Sequence, residues 1–184
     1  MVELWQLYDE DTNPLVGSGA TKDDVLSGAL LHGASHVWIW RYMNGAVQVL
    51  LQKRAKNKRT WPDKFDISAA GHIDLGESPE QAAIRETKEE IGVDISASDL
   101  KPVAIHKAYL EAGNGNIENE FQWVYLLELG GDRDFHLQES EVASLVWVSL
   151  DTIRKNYESG DYVPHGTEYY EKIFQALENL SKGE

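Results

Sequence analysis

One segment in the middle of the chain constrains the fold more than any other, because it combines a glycine turn at Gly71, a capped helix and a group of carboxylates. Ser78 is a favoured N-cap residue, Pro79 suits the first helical position, and Gln81 completes a Ser-x-x-Gln capping box. The spacing therefore predicts a helix that begins at Pro79. The helix is expected to end near Ile91, because Gly92 suits the left-handed conformation that commonly terminates a helix.

Three glutamates crowd one face of this predicted helix. At roughly 100° per residue, Glu86, Glu89 and Glu90 fall within about one third of the circumference. Like charges one turn apart on a helix repel each other by about 0.2–0.5 kcal/mol per pair. A solvated acidic surface is the alternative for any two of these residues. The full pattern indicates a hard divalent cation, which prefers carboxylate oxygens.

The segment resembles the signature of the Nudix hydrolase superfamily, Gly-x5-Glu-x7-Arg-Glu-U-x-Glu-Glu-x-Gly-U, in which U is a bulky aliphatic residue. Thr87 departs from the pattern at the first U but keeps β-branched bulk. The resemblance implies an α/β/α sandwich fold. It also implies an enzyme that hydrolyses a diphosphate linked to another moiety. The reaction would depend on Mg²⁺, or on Mn²⁺ in its place. The matching positions are Gly71, Glu77, Arg85, Glu86, Glu89, Glu90, Gly92 and Val93.

The same resemblance implies roles for these residues. Glu86 and Glu90 would chelate the metal, and the backbone carbonyl of Gly71 would complete its coordination. Glu89 would ligate the metal or serve as the general base. Arg85 would orient the ligands and so belong to the catalytic group.

Composition limits the other functions open to the chain. Its 184 residues suit a single domain, 1–184, and the absence of cysteine excludes disulfides and thiol nucleophiles. The first residues lack a signal peptide pattern, and no apolar run is long enough to span a bilayer, so we expect a cytoplasmic protein. A net charge of −14 argues against nucleic acids and anionic membranes as partners, but not against a small phosphorylated substrate.

A basic run at residues 53–59 stands out in this acidic chain. A solvated loop is one interpretation of this run. The other is a diphosphate clamp, in which Arg54 provides bidentate contacts and Lys58 a point charge. Trp61, just beyond the run, is the indole that we expect at the substrate site, whereas most other tryptophans are expected in the core.

The remaining pattern predicts an α+β fold with a mixed sheet flanked by helices. Asn44-Gly45 is a strong hairpin signal. Ser149 is expected to cap a helix over 150–157, and Thr167 a last helix over 168–181. Strand-like runs occupy 3–8, 36–42, 46–53, 65–70, 102–109, 121–129 and 145–148.

Outside the signature, the chain resembles the Nudix branch that contains type I isopentenyl diphosphate isomerase. The resemblance rests on residues 31–32, 53–62, 70–72 and 117–120. In that isomerase, the positions matching Arg54 and Lys58 contact the diphosphate. The positions that supply its metal ligands match His32, His72, Glu90, Glu118 and Glu120.

Two departures favour hydrolysis over isomerisation. Ala70 stands where the isomerase has a proton-transferring cysteine, and residues 23–25 lack a further histidine ligand. The intact signature also favours a hydrolase. An isomerase-like enzyme on isoprenoid diphosphates remains the alternative if Tyr109 or Glu120 replaces the cysteine. A non-catalytic binding module is the third hypothesis, although such modules usually lose signature carboxylates.

Several residues outside the helix are further candidates. Glu120 is a candidate general base or metal ligand, and Glu118 shares its side of the strand. His72 is expected beside the proposed metal. His32 is a weaker candidate, because the second histidine ligand that accompanies it in the isomerase is missing here. His36 is expected to be structural.

The substrate itself is left open by the sequence. Loops at 113–119 and 157–170 are expected to form part of the pocket wall. The candidates are nucleoside diphosphate derivatives, oxidised nucleotides, thiamine diphosphate and isoprenoid diphosphates. A homodimer is a further expectation from the resemblance.

Overall fold

A nine-stranded mixed sheet flanked by helices makes up most of the computed structural model, which describes residues 2–112, 115–131 and 133–182. The strands are β1 Trp5–Tyr8, β2 Pro14–Ala20, β3 His32–Met43, β4 Ala46–Arg54, β5 Phe65–Asp66, β6 Ala69–His72, β7 Leu100–Glu111, β8 Ile117–Glu128 and β9 Val142–Ser149. The helices are α1 Lys22–Gly28, α2 Pro79–Ile91, α3 Leu150–Asn156 and α4 Thr167–Lys182, and a 3₁₀ turn covers Ala97–Asp99. Within the described residues, no helix is long and apolar enough to cross a membrane.

Strand β3 lies at the centre of the sheet. It pairs in parallel with β8 along one side, from His32 opposite Glu120 to Trp40 opposite Glu128. On its other side its first half pairs with β6 and its second half with β4, both antiparallel. The predicted hairpin between β3 and β4 is confirmed, since Asn44 and Gly45 both take positive φ angles.

Alternate side chains of the central strands supply two separate cores. Trp38 and Trp40 of β3 pack with α3 and α4 on one face of the sheet. Val37 and Ile39 pack on the other face, against the buried side of α2. This follows from the period of two in a strand. The predicted sandwich of helices around a mixed sheet is confirmed.

The signature helix α2 begins and ends where its capping residues predict. The Ser78 hydroxyl accepts a hydrogen bond from the Gln81 amide, and the Gln81 side chain accepts one from the Ser78 amide. Pro79 occupies the first turn. Gly92 ends the helix in the left-handed conformation, with φ 74°. Thr87 is fully buried, so the one departure from the signature lies in the core and not on the carboxylate face.

Two predicted elements differ from the observed ones. The run at 65–70 is not one strand, because the chain crosses there from the edge of β4, where β5 pairs, to β3, where β6 pairs. At the crossing, the Ser68 hydroxyl accepts from the Ile39 amide and donates to the Leu50 carbonyl. Thr167 is the first residue of α4 and not its cap, since its hydroxyl donates to Glu158.

Strand β2 and helix α1 were not predicted from the sequence. Most of β2 is exposed, so it lacks the alternation of apolar and polar residues that marks a half-buried strand. Helix α1 spans only 7 residues, too few for a clear apolar period, although Thr21 caps it.

Candidate functional site

One cleft of about 670 Å³ is lined by most of the residues that the sequence marks as candidates for catalysis, metal binding or substrate binding. It lies between helix α2, strand β6, the first residues of strands β3 and β8, and the basic segment after β4. The predicted residues that line it are Arg54, Lys58, Trp61, Gly71, His72, Arg85, Glu86, Glu89, Glu90, Glu118 and Glu120.

Glu90 is the most deeply buried carboxylate of the signature helix, at 4% exposed. Its Oε2 atom accepts hydrogen bonds from the Ala70 amide at 3.0 Å and from the Gln52 side chain at 3.2 Å. Both donors use the same oxygen, so neither occupies Oε1. Burial, reinforced by the charge of Glu86, raises the pKa of Glu90 to about 8. A cation beside Glu90 would offset this cost of holding a carboxylate away from water.

Gly71 lies in strand β6, paired with Ser35, and not in a turn. The prediction of a glycine turn at this position was wrong. The glycine is required for a close approach, because a Cβ atom there would lie 2.0 Å from the Glu86 carboxylate. The nearby glycine with a positive φ angle is Gly76, at 84°. Gly71 therefore makes room for Glu86 beside the backbone of β6.

Arg85 connects the carboxylates of the helix to one another. Its guanidinium donates to both oxygens of Glu77, at 3.0 and 2.9 Å, and to the His72 carbonyl at 2.9 Å. It also contacts Glu86 at 2.6 Å and Glu89 at 3.4 Å. Because these partners surround the guanidinium, Arg85 orients the carboxylates of the helix.

A second group of potential metal ligands lies at the same cleft, which three of its four members line. It consists of His32, His72, Glu118 and Glu120, with one ligand atom from each within 4.8 Å of the others. Three strands bring them together, because His32 of β3 lies directly opposite Glu120 of β8 and His72 belongs to neighbouring β6. Glu118 and Glu120 face the same side, as predicted from their spacing of two.

The donor atoms of this group fit a cation. His32 Nδ1 lies 2.8 Å from the Leu30 carbonyl, which can only accept, so Nδ1 carries the proton and Nε2 is left for a ligand. His32 Nε2 and Glu118 Oε2 are buried without a hydrogen-bond partner. Gln122 donates to Oε1 of Glu120 at 2.8 Å, which leaves Oε2 facing the histidines. Such outer contacts fix ligand orientation in metal sites.

The histidines and carboxylates of this group shift one another's ionisation. Burial alone would lower the pKa of His32, but the nearby carboxylates of Glu120, 3.3 Å from Nε2, and of Glu118 outweigh burial and raise it. Burial is the main reason why the pKa of His72 is lowered. His72 also stacks on Trp5, with ring centroids 3.4 Å apart. The indole thus packs against one side of the cluster and keeps the imidazole ring parallel to its own plane.

The basic residues of the predicted diphosphate clamp are paired with carboxylates. Arg54 donates to Asp66 at 2.9 Å and to the Thr60 carbonyl at 3.0 Å. Lys58 forms an ion pair with Glu141. Both cations nevertheless line the cleft. A bound anion would share these cations with their present partners.

Sequence reasoning missed several residues that line the cleft or contact its carboxylates. Gln52 contacts Glu90, Trp5 stacks on His72, and Asp66 and His165 are hydrogen-bonded to each other at 2.9 Å. No local pattern marks them, because their partners are distant in the chain. The one available signal was that His165 falls within 157–170, the segment predicted to form part of the pocket wall.

The predicted wall segments have different outcomes. Val163 and His165 of the 157–170 segment line the cleft. The 113–119 loop falls partly outside the described residues, although Glu118 at its end lines the cleft. Tyr109 is 59% exposed and pairs opposite Asn119, so it faces away from the side of Glu118.

Comparison with known proteins shows which family this chain resembles in sequence. The family model of the NUDIX domain matches residues 33–165. An uncharacterized Nudix hydrolase of Clostridium acetobutylicum is 30% identical over 203 aligned positions, which cover 95% of this chain and 97% of that protein. The isopentenyl-diphosphate Delta-isomerase of Citrobacter koseri is 34% identical over 155 positions, covering 80% of this chain and 77% of the isomerase.

A solved structure has the same fold. The Ap4A hydrolase of C. elegans, in a binary complex, superposes with a TM-score of 0.58 at 26% identity. The superposition covers 80% of this chain and 98% of the hydrolase. The mixed sheet with helices on both faces is therefore shared by the two proteins.

Proposed function

This chain belongs to the Nudix hydrolase family, and from that premise we propose that it hydrolyses a small-molecule diphosphate in a reaction that depends on Mg²⁺. The substrate would have the form X–O–P–O–P, with X a nucleoside or another small group. One observation carries the proposal. The carboxylates of Glu86, Glu89 and Glu90 are all retained, and all line one cleft together with unused acceptor oxygens.

The residues that would hold the cation are Glu86 and Glu90, with Glu89 and the Gly71 carbonyl beside them. When bound, Mg²⁺ neutralises charge on phosphate oxygens and makes a bound water more acidic. The protein's part is to keep the carboxylates in place. Arg85 orients Glu86 and Glu89, while Gln52 and the Ala70 amide orient Glu90 through one oxygen.

Glu89 is our candidate for the general base. Its side chain is 53% exposed, and its recorded contact is the long one to Arg85 at 3.4 Å, so it can accept a proton from water at the cleft mouth. Glu120 is the other candidate that the sequence offered. Its contacts with His32 and His72 favour a role as a ligand.

On the substrate side, Arg54 and Lys58 would bind the diphosphate, and Trp61 would contact the group X. Arg54 is held by Asp66, which fixes the guanidinium in the cleft wall before substrate arrives. Lys58 would exchange Glu141 for a phosphate oxygen. Nucleic acids and membranes are not proposed as partners, while a homodimer, a cytoplasmic location and a single-domain organisation stay predictions.

The test is hydrolysis across a panel of diphosphates with Mg²⁺ and with a chelator. The panel contains nucleoside diphosphate derivatives, Ap4A, thiamine diphosphate and isopentenyl diphosphate. We expect cleavage of a P–O–P bond, monitored by chromatographic separation of the phosphorylated products, that requires the metal and falls by about a hundredfold in Glu89→Gln, because a general base contributes about 10²–10⁴. Glu80→Gln, an exposed glutamate on the same helix, should retain wild-type activity.

A second function is favoured by the likeness to isopentenyl-diphosphate Delta-isomerase. The same assay separates the two. Dimethylallyl diphosphate formed from isopentenyl diphosphate, with no P–O–P cleavage in any compound, would replace hydrolysis by isomerisation. Two features argue against isomerisation. Ala70, at the position of the isomerase cysteine, cannot transfer a proton. Tyr109, a possible substitute for that cysteine, faces away from Glu118.

We also propose that the cluster of His32, His72, Glu118 and Glu120 holds a second divalent cation. Two imidazoles with two carboxylates suit Mn²⁺ or Zn²⁺ better than Mg²⁺, which prefers an all-oxygen shell. The unpartnered His32 Nε2 and Glu118 Oε2 support this assignment.

Titration with Mn²⁺, followed by the electron paramagnetic resonance signal of free Mn²⁺, tests the second site. Wild type should bind Mn²⁺ at two classes of site, and His72→Gln should weaken one class by at least about tenfold because a ligand is lost. His136→Gln, an exposed histidine outside the cleft, is the matched control. Identical titrations of His72→Gln and wild type would remove the cluster from the proposal.

A further inference from the structure

A chain of hydrogen bonds follows one wall of the cleft and is not explained by metal binding. Arg54, at the end of β4, donates from Nη1 to Oδ2 of Asp66 in β5 at 2.9 Å. His165 donates from Nε2 to the other oxygen of Asp66, also at 2.9 Å. All three residues line the cleft. Asp66 therefore uses both oxygens to hold two side chains of the cleft wall.

The backbone keeps His165 beside Asp66. The amide of Phe65 donates to the Asp161 carbonyl, and the Val163 amide donates to the Phe65 carbonyl. These bonds dock the segment before α4 onto β5. His165 follows directly after this docked segment, so its ring position does not depend on a free loop.

Asp66 sets the proton arrangement of the His165 ring. Burial alone would raise the pKa of Asp66, but the hydrogen bond and charge of His165 and the charge of Arg54 outweigh burial and hold the pKa well below its usual range. Asp66 is thus a carboxylate that can only accept, and Nε2 of His165 carries a proton. The second ring nitrogen, Nδ1, has no hydrogen-bond partner, although His165 is only 7% exposed.

The surroundings of His165 offer Nδ1 no alternative partner among the described residues. The rings that face it are His36, with centroids 5.3 Å apart, and Tyr169, at 4.8 Å. His36 Nδ1 is already bonded to the Tyr169 hydroxyl at 2.8 Å. A buried polar atom without a partner is unfavourable, so such an atom in a cleft wall indicates a place that a ligand completes.

Two more unpartnered nitrogens belong to the same wall. They are Nε of Arg54 and Nε1 of Trp61, both buried and both able only to donate. With Nδ1 of His165, they make three nitrogens with no partner on residues that line one cleft. Nε of Arg54 and Nε1 of Trp61 complement an anion as donors, as does Nδ1 of His165 when the ring carries its second proton, whereas the carboxylates of α2 complement a cation.

We infer that His165 is a phosphate-binding residue of this cleft, which donates a hydrogen bond from Nδ1 to a non-bridging oxygen of the substrate diphosphate. In this state the ring carries both protons, one shared with Asp66 and one with the phosphate. Asp66 is a positioning residue, because it acts through His165 and Arg54. The inference rests on the proposed function, since it assigns the diphosphate of that substrate to one wall of the cleft.

Binding of methylenediphosphonate, a diphosphate analogue that is not hydrolysed, tests the inference in the presence of Mg²⁺. Calorimetry should show the affinity of His165→Gln reduced at least about tenfold relative to wild type, because a hydrogen bond to a charged group is lost. Asp66→Asn should also bind more weakly, since the ring loses its ionised partner. His136→Gln should bind as wild type does.

Nuclear magnetic resonance of the imidazole nitrogens gives a readout that is taken on the wild-type protein. His165→Gln serves only to assign the His165 signals among the 6 histidines. In wild type, the ¹⁵N and ¹H signals at Nδ1 should shift when methylenediphosphonate is added, and the proton should become protected from exchange with water. Such protection is the signature of a hydrogen bond to the ligand.

Two results would overturn the inference: an unchanged Nδ1 signal while the analogue binds, or no binding of the analogue to wild type. Neither measurement requires turnover. Failure of the hydrolysis assay would therefore contradict the proposed function while leaving phosphate binding by His165 measurable. Conversely, active enzyme with an unchanged His165 signal would contradict this inference alone.

Discussion

Glu90→Gln is expected to reduce Mg²⁺-dependent hydrolysis by on the order of a thousandfold, because a metal contributes several kcal/mol and about 1.4 kcal/mol corresponds to tenfold in rate. Glutamine keeps the shape of the side chain and can still accept from Ala70 and Gln52. It cannot supply the negative charge. The measurement is kcat/KM on the substrate identified by the diphosphate panel, together with the affinity for Mg²⁺.

Unfolding experiments separate this loss from a loss of structure. Burial raises the pKa of Glu90 to about 8, so the metal-free protein gives up stability as the pH rises from about 4.5 through 8. The glutamine variant lacks that titration. Without metal it should be at least as stable as wild type above pH 8. Full activity in Glu90→Gln, with Glu80→Gln as the control, would contradict its assignment as a ligand.

Gly71→Ala is expected to lower hydrolysis by about a hundredfold or more, since displacing a catalytic group by about 1 Å can cost that much. A Cβ at this position would lie 2.0 Å from the Cδ and Oε1 atoms of Glu86. Glu86 would have to leave its place beside β6 and its contact with Arg85. The effect should appear in kcat and in Mg²⁺ affinity.

Gly130→Ala is the matched control for this substitution. The space around Gly130 is open, so an added methyl group meets no atom within 4 Å. Its activity and melting temperature should match those of wild type. Wild-type Mg²⁺ affinity in Gly71→Ala would show that Glu86 does not bind the metal from its observed position.

The helix and the hairpin were predicted accurately because local physics determines them. The capping box at Ser78 and Gln81, Pro79 in the first turn and Gly92 at the end all act within a few residues of one another. Asn44-Gly45 likewise favours its turn without help from the rest of the chain.

Other features escaped prediction because their cause lies far away in the chain. Gly71 was expected to form a turn, yet it is a strand residue whose lack of a side chain accommodates Glu86 from the packed helix. Arg54 and Lys58 were expected as a clamp, and both line the cleft. Their carboxylate partners Asp66 and Glu141 could not be anticipated from the basic run itself.

The sequence by itself determined the helix with its face of carboxylates, the alternation that divides the sheet into two buried faces, and the family. These depend on spacing and capping, which act between near neighbours. The meeting of His32, His72, Glu118 and Glu120 depended on tertiary structure, because strand register places them together. So did the pairing of His165 with Asp66, which are 99 residues apart. Distances between such residues arise only when the sheet assembles, and no local pattern encodes them.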